Sequence, residues 1–145
     1  MNAKEYFKQI SRTEAFISTK KQRMDALKAL ASGVGSPNLS GMPKNPSGSL
    51  SPMADAVCKA LDLEAEIHKD EFLLQEKKVF LLELIGTIEI CDCQIVLIKR
   101  YFEHLSWDDI ASSMFYSTRW IYKLHGRALE EMDRKLKERN DSHVL

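Results

Sequence analysis

The prolines and glycines of this 145-residue chain are concentrated in one segment, and this restricts how the rest can fold. All four prolines and four of the six glycines lie between Gly33 and Pro52. Because both residue types interrupt helices, the stretches on either side are free to form long, continuous ones. The segment itself cannot bury enough apolar surface to offset its ordering entropy. It predicts a flexible loop over residues 33–50.

The first stretch, residues 3–31, contains apolar residues at helical spacing and neither glycine nor proline. One row steps by seven residues: Ile10, Ile17, Met24 and Ala31. A more polar companion row consists of Tyr6, Thr13, Lys20 and Leu27. The pattern predicts an amphipathic helix with coiled-coil character. The sequence leaves open whether this helix packs within the chain or serves as a dimerisation arm.

A second long helix is predicted from about residue 52 to residue 85, with Ser51 as N-cap and Pro52 at the first helical position. Its apolar row is Met53, Ala60, Ile67, Leu74, Leu81 and Ile88. The companion row is Val57, Glu64, Glu71, Lys78 and Ile85. Such a helix is roughly 50 Å long, too long for a compact domain of this size to bury.

Charge favours antiparallel pairing of the two long helices. Residues 1–31 carry seven Lys/Arg and three Asp/Glu, whereas residues 51–93 carry four Lys/Arg and ten Asp/Glu. Complementary charge sets partner choice in paired helices. Self-association of the long helix in a dimer is the alternative. A break is expected between about residues 86 and 92, with Asp92 as a cap for the next helix.

The last third predicts three short-linked helices. The first covers about residues 92–104, and Ser106 caps the second, WDDIASSM. Phe115 and Tyr116 form a turn, and Ser117 caps the third helix. The inner stripe of that helix is Ile121, Leu124, Ala128, Met132 and Leu136. The cations Arg119, Lys123 and Arg127 step by four along the opposite side.

This region resembles the region-4 helix-turn-helix of bacterial RNA polymerase sigma factors. The matching residues are Arg100, Tyr101, Phe102, Leu105, Ser106, Ile110, Ala111, Ser117, Ile121, Leu124, Arg127, Ala128 and Leu129. The run WIYKLHGRAL is similar to phage and prophage regulators of late transcription, of the ArpU and RinA type. No segment is similar to sigma region 2, so a complete sigma factor is not expected.

The resemblance implies a DNA-binding surface on the third helix, about residues 117–136. By this resemblance Thr118, Arg119 and Lys123 read bases. Trp120, Tyr122 and Arg127 contact the DNA backbone or support the fold, and Ser117 completes the set as the cap. Trp120 and Tyr122 replace the cations common at these positions, so the target sequence cannot be carried over.

The sequence therefore predicts an all-α protein: a long N-terminal helical hairpin over residues 1–88, a three-helix helix-turn-helix domain over 89–139, and a disordered tail at 140–145. The first functional hypothesis is a regulator that binds double-stranded DNA, with RNA polymerase contact or homodimerisation through the arm. The second is an adaptor that uses the same helices to bind a polymerase or packaging protein without strong DNA binding.

An enzyme is the third and least favoured class. The histidines His68, His104, His125 and His143 have no metal-ligand spacing, and no cofactor motif is present. His125 is expected at the surface or phosphate side of the recognition helix. The most apolar stretch, from Val79 to Ile90, is too short to span a bilayer. A soluble cytoplasmic protein with reduced thiols, and no membrane partner, is expected.

Overall fold

The computed structural model of the protein describes residues 1–33 and 51–143. The predicted loop at 33–50 therefore lies outside the described residues, apart from Gly33. Within the described ranges every regular element is helical, which confirms an all-α fold. The helices are α1 (Ala3–Ala31), α2 (Pro52–Gly86), α3 (Cys91–Leu97), α4 (Trp107–Met114) and α5 (Thr118–His143). None of these helices is long and apolar enough to cross a membrane.

The chain forms two compact units whose limits differ from the predicted division near residue 88. The arm unit is Arg12–Gln75, and the core unit combines Met1–Ser11 with Glu76–Leu145. The difference arises because the start of α1 and the end of α2 pack against the C-terminal helices. The Phe7 ring, for example, stacks on Tyr101 at a centroid distance of 3.9 Å.

The arm unit brings α1 and α2 together in antiparallel contact around a buried lysine. The Lys20 ammonium donates to Glu66 at 2.6 Å and to Asp70 at 2.5 Å. The hydrogen bonds that Lys20 donates to Asp70 and to Glu66 raise the pKa of Lys20 above its usual value. On the opposite side of the pair, Lys21 meets Glu71 at 2.7 Å. Lys20 is thus buried in the contact between α1 and α2, which we call the seam, and two carboxylates of α2 neutralise its charge.

The predicted companion row of α2 is wrong within the arm unit, although its last member, Ile85, is buried. Val57 is 43% exposed, whereas the neighbouring Ala56 and Leu63 are buried. The second row of α2 that faces α1 is Ala56, Leu63 and Asp70. These residues lie three positions after Met53, Ala60 and Ile67 of the apolar row, whereas the predicted row lies four positions after them. This choice places Asp70, instead of Glu71, where the buried Lys20 requires a partner.

In the core unit, α1 begins with a reciprocal capping box. The Glu5 amide donates to the Asn2 side chain at 2.9 Å, and the Asn2 amide donates to the Glu5 carboxylate at 3.3 Å. The buried Ala3 amide donates to Asp133 Oδ1 of α5 at 2.7 Å. The beginning of α1 is therefore attached to the second half of α5.

The break after α2 is confirmed, but its predicted cap is wrong. Gly86 is the last residue of α2, and α3 begins at Cys91 with Ile90 in the cap position and no side-chain hydrogen bond. Asp92 lies in the first turn, where the Tyr116 hydroxyl donates to it at 2.7 Å. The carboxylate thus fastens the turn before α5 and does not start α3.

Two further features of the core unit depart from the expectations. The helix of residues 92–104 is not uniform, because α3 continues as a π-helical turn over Ile98–Phe102. Helix α5 extends to His143, so residues 140–143 of the predicted tail are helical, while 144–145 lie outside the described residues.

Candidate nucleic-acid interface

Helix α4 is delimited by local hydrogen bonds at both ends. At its start the Asp109 amide donates to Ser106 Oγ at 3.1 Å, as predicted. At its end Phe115 adopts a left-handed conformation, with φ 60° and ψ 36°. The Tyr116 amide then donates to the Ala111 carbonyl at 3.1 Å and the Phe115 amide to the Ser112 carbonyl at 3.4 Å. This is the Schellman pattern, which turns the chain sharply towards α5.

The turn leads directly into α5, whose first amides are capped by Ser117. The Trp120 amide donates to Ser117 Oγ at 3.1 Å, which confirms the predicted cap. The Thr118 hydroxyl donates to Asp108 of α4 at 3.2 Å, and its side chain is half-buried. Ser117 and Thr118 are thus engaged in holding the start of α5 against α4.

One face of α5 is committed to the core. The predicted inner stripe is buried along its whole length: Ile121, Leu124, Ala128, Met132 and Leu136. Ile121, Ala128 and Met132 have no measurable exposure. Because one face is anchored in this way, the direction of the opposite face is fixed relative to α3 and α4.

The opposite face presents three cations to solvent. Arg119, Lys123 and Arg127 are all exposed, and none has an ion pair or hydrogen bond within the described part of the chain. No acidic residue occurs between Thr118 and Leu129. The first half of α5 therefore carries positive charge without an ion pair between described residues. In the second half Arg134 pairs with Glu131 at 2.6 Å, and the pKa of Glu131 is lowered by this hydrogen bond and by the charges of Arg134, Lys135 and Arg127.

Aromatic side chains border the cations on two sides. Trp120 is 43% exposed and lies edge-on to Tyr116, with ring centroids 6.3 Å apart. Tyr122 is 52% exposed and lies 5.2 Å from the Trp107 ring. Both rings pack on a neighbouring ring and are about half exposed, so each can contact an external ligand.

Gly126 lies between Lys123 and Arg127 on this exposed surface. A Cβ atom at this position would find nothing within 4 Å. The internal packing therefore does not require a glycine here, although glycine in a helix costs about 1 kcal/mol relative to alanine. Because Gly126 has no side chain, an external surface can come close to the backbone at this position.

A cluster of rings and one cation supports α5 from behind. The Arg100 guanidinium lies 4.3 Å over the Trp107 ring and donates to the Leu105 carbonyl at 3.0 Å. The Tyr101 hydroxyl is 2.7 Å from His125 Nε2, and burial raises the pKa of that hydroxyl. These contacts join the π-helical turn to α4 and α5.

The expectation that His125 faces solvent or phosphate is wrong. The ring is half-buried, with Trp107 edge-on at 4.7 Å. Burial, together with the charges of Arg100 and Lys4, lowers the pKa of His125 to about 4. The imidazole is therefore neutral at physiological pH, and its Nε2 can accept a hydrogen bond from the Tyr101 hydroxyl.

Sequence reasoning missed the support that Tyr116 and Arg100 provide. Tyr116 bonds to Asp92, and this bond raises the pKa of the phenol. The two residues are 24 positions apart, so no local spacing signals their contact. Arg100 and Trp107 are only seven positions apart, but their side chains meet because the chain turns between them at Leu105.

The thiols and carboxylates do not assemble a metal-binding group within the described residues. Cys58 and Cys91 are exposed. Cys93 is buried with its thiol 3.7 Å from the Leu124 carbonyl, and burial raises its pKa. Its position is that of a packing residue beside α5.

The first half of α5 thus combines three cations without an ion pair among the described residues, flanking aromatic rings and a glycine on one exposed surface. No protein family, no curated protein and no solved structure matches this chain.

Proposed function

We propose that this protein is a sequence-specific regulator of transcription, of the phage or prophage type, that binds duplex DNA through the first half of α5. The observation that carries the proposal is the set of unpaired cations Arg119, Lys123 and Arg127, opposite a buried stripe on the same helix. A helix presented by a short helix and a tight turn is the arrangement that helix-turn-helix proteins insert into the major groove.

The side chains divide into groups with different roles. Arg119 and Lys123 lie nearest the start of α5 and are assigned to base edges, where guanine offers paired acceptors. Arg127, one turn further on, is assigned to a phosphate. Trp120 and Tyr122 flank the groove and contact thymine methyl groups or sugar. Ser117 and Thr118 position the helix through the hydrogen bonds they already make.

The charge of the chain predicts weak binding by one copy. The net charge is zero, and the proposed DNA-binding face of α5 carries the three cations Arg119, Lys123 and Arg127. If each cation neutralises one phosphate, a plot of log K for binding against the logarithm of the salt concentration has a slope of about −2.7. A slope much steeper than this would mean that other cations of the chain, or a second copy, also contact DNA.

The test is a fluorescence anisotropy titration with duplexes selected from random DNA. Replacing Arg119 and Lys123 by alanine is expected to cost on the order of 1–3 kcal/mol each. Lys137→Ala is the matched control, because Lys137 is an exposed cation about five turns further along the same face. Unchanged affinity in the Arg119/Lys123 double variant, with circular dichroism intact, would refute the proposal.

A second candidate function has one specific observation in its favour. Phe115 is 94% exposed beside the exposed Tyr116 and Trp120, and an apolar cluster of this kind suits a protein partner. The partner would be RNA polymerase or a phage packaging protein. Absence of duplex binding at about 100 mM salt, together with polymerase binding that Phe115→Ser abolishes, would favour this adaptor.

A further inference from the structure

One side of the arm unit combines exposed apolar residues with unpaired charges. We call it the Phe16 face and define it by Arg12, Phe16, Arg23 and Leu30 of α1 and Asp62 and Leu73 of α2. Arg12 and Phe16 line one shallow groove together with Asp70, and Arg23, Leu30 and Asp62 line a second. Leu73 joins them because it lies three residues after Asp70, on the same side of α2.

The apolar members of the Phe16 face are poorly covered. Phe16 is 63% exposed, Leu30 is 64% exposed and Leu73 is 45% exposed. Phe16 precedes Lys20 by one turn, and Leu73 follows Asp70 by nearly one turn. Because Lys20 and Asp70 are bonded and the helices are antiparallel, Phe16 and Leu73 lie at the same level of the arm unit.

The charges on the two edges of the face are opposite in sign. On the α2 edge, Lys59 is paired with Asp55, and Glu66 and Asp70 are paired with Lys20. The remaining charges of the face are Arg12 and Arg23 on the α1 edge and Asp62 on the α2 edge. None of the three forms an ion pair within the described residues. Arg23 and Asp62 line the same groove and still remain unbonded to each other. Each edge therefore has unused charge that suits the other edge.

From these observations we infer that the Phe16 face is a homodimer interface. A twofold axis parallel to the helices places α1 of one copy against α2 of the other, antiparallel and at the same level. Phe16 then packs on the partner's Leu73, and Arg23 meets the partner's Asp62. Both contacts occur twice, as an interface between identical surfaces requires.

On the opposite side of the arm unit, the exposed Phe72 lies next to charges that are paired within the chain. Phe72 is 64% exposed there, which equals the exposure of Phe16 within one per cent. The charges beside it are already used, because Lys21 pairs with Glu71 within the chain. Phe72 is thus an apolar residue of matched exposure that lies beside an ion pair and outside the Phe16 face, which makes it a suitable control.

The proposed axis also determines where the rest of each chain leaves the interface. Residues 12 and 75, at which the chain passes to the core unit, mark the same end of the antiparallel helices. With an axis parallel to the helices, residues 12 and 75 of both copies lie at the same end of the interface. A twofold axis across the helices would instead bring like-charged α1 edges together.

The first test measures the association of the full chain at micromolar concentration by sedimentation velocity. The wild type is expected to be a dimer, and Phe16→Ser to raise the dissociation constant at least about tenfold. Phe72→Ser should leave it unchanged, with circular dichroism confirming that both variants remain helical. A monomeric wild type, or a dimer that Phe72→Ser dissociates and Phe16→Ser does not, would overturn the inference.

The second test uses charge reversal and does not depend on the apolar contact. Arg23→Asp alone places two aspartates opposite each other at each contact, and Asp62→Arg alone places two arginines there. Each variant is expected to dissociate more readily than the wild type. A mixture of the two should form heterodimers, because both contacts then join an aspartate to an arginine. A mixture that associates no better than its components would exclude the proposed pairing.

Discussion

The turn before α5 contains a bulky residue in a conformation that suits glycine, and this allows a quantitative prediction. Phe115 has φ 60° and ψ 36°, and its ring is 94% exposed. For a residue with a Cβ atom the left-handed conformation costs about 1–2 kcal/mol. Glycine removes this cost but loses about 0.5–1 kcal/mol through its greater freedom in the unfolded state. The ring buries almost nothing, so Phe115→Gly is expected to stabilise the core unit by up to about 1.5 kcal/mol.

The measurement is urea unfolding followed by circular dichroism, with Phe115→Ala as the matched control. Alanine removes the ring but keeps the Cβ atom, so its stability should stay within about 0.5 kcal/mol of the wild type. The two capping hydrogen bonds use main-chain atoms and persist in both variants. A glycine variant that is less stable than the wild type, or an alanine variant that gains as much as glycine, would contradict the strain argument.

Three further predictions concern α5. Gly126→Ala should raise the free energy of unfolding by up to about 1 kcal/mol in a urea titration, because glycine disfavours helix. The same change should weaken DNA binding in the anisotropy assay if the DNA approaches the backbone there; unchanged affinity would show that it does not. Asp133→Ala should destabilise the core unit by about 1–2 kcal/mol in thermal unfolding, since it leaves the buried Ala3 amide unbonded, whereas the exposed Asp141→Ala should have no effect. The low pKa of His125 means that the unfolded chain takes up the proton first as the pH falls, so stability should be lost from about pH 6.5 down to about 4, and His125→Gln should flatten that pH dependence.

Features set by neighbours in the sequence were predictable. Each of Ser51, Ser106 and Ser117 accepts a hydrogen bond from the amide three residues later. The buried stripe of α5 follows from helical spacing alone, because a single face of that helix meets the core. Local chemistry is sufficient in these cases, since the interacting groups are within one turn of each other.

Features that depend on distant partners were not predictable. The sequence alone does not choose between Asp70 and Glu71 as the partner of Lys20, because either position can continue a seven-residue repeat. The left-handed conformations of His104 and Phe115 were also missed, since neither is a glycine. At the interface, the cations were found by their spacing, whereas the engagement of Thr118 by Asp108 required the turn geometry.

The absence of internal partners for Arg119, Lys123 and Arg127 in the described part of the chain has a consequence for how such a protein can change. Substitutions at these positions remove no ion pair or hydrogen bond between described residues, so we expect that, in the proposed DNA-binding role, the preferred DNA sequence can change by mutation with little loss of stability. The buried stripe on the other side of α5 has no such freedom. In α5, the exposed positions thus tolerate substitution and the buried positions do not. A library randomised at these three exposed positions should yield folded proteins with altered DNA preference.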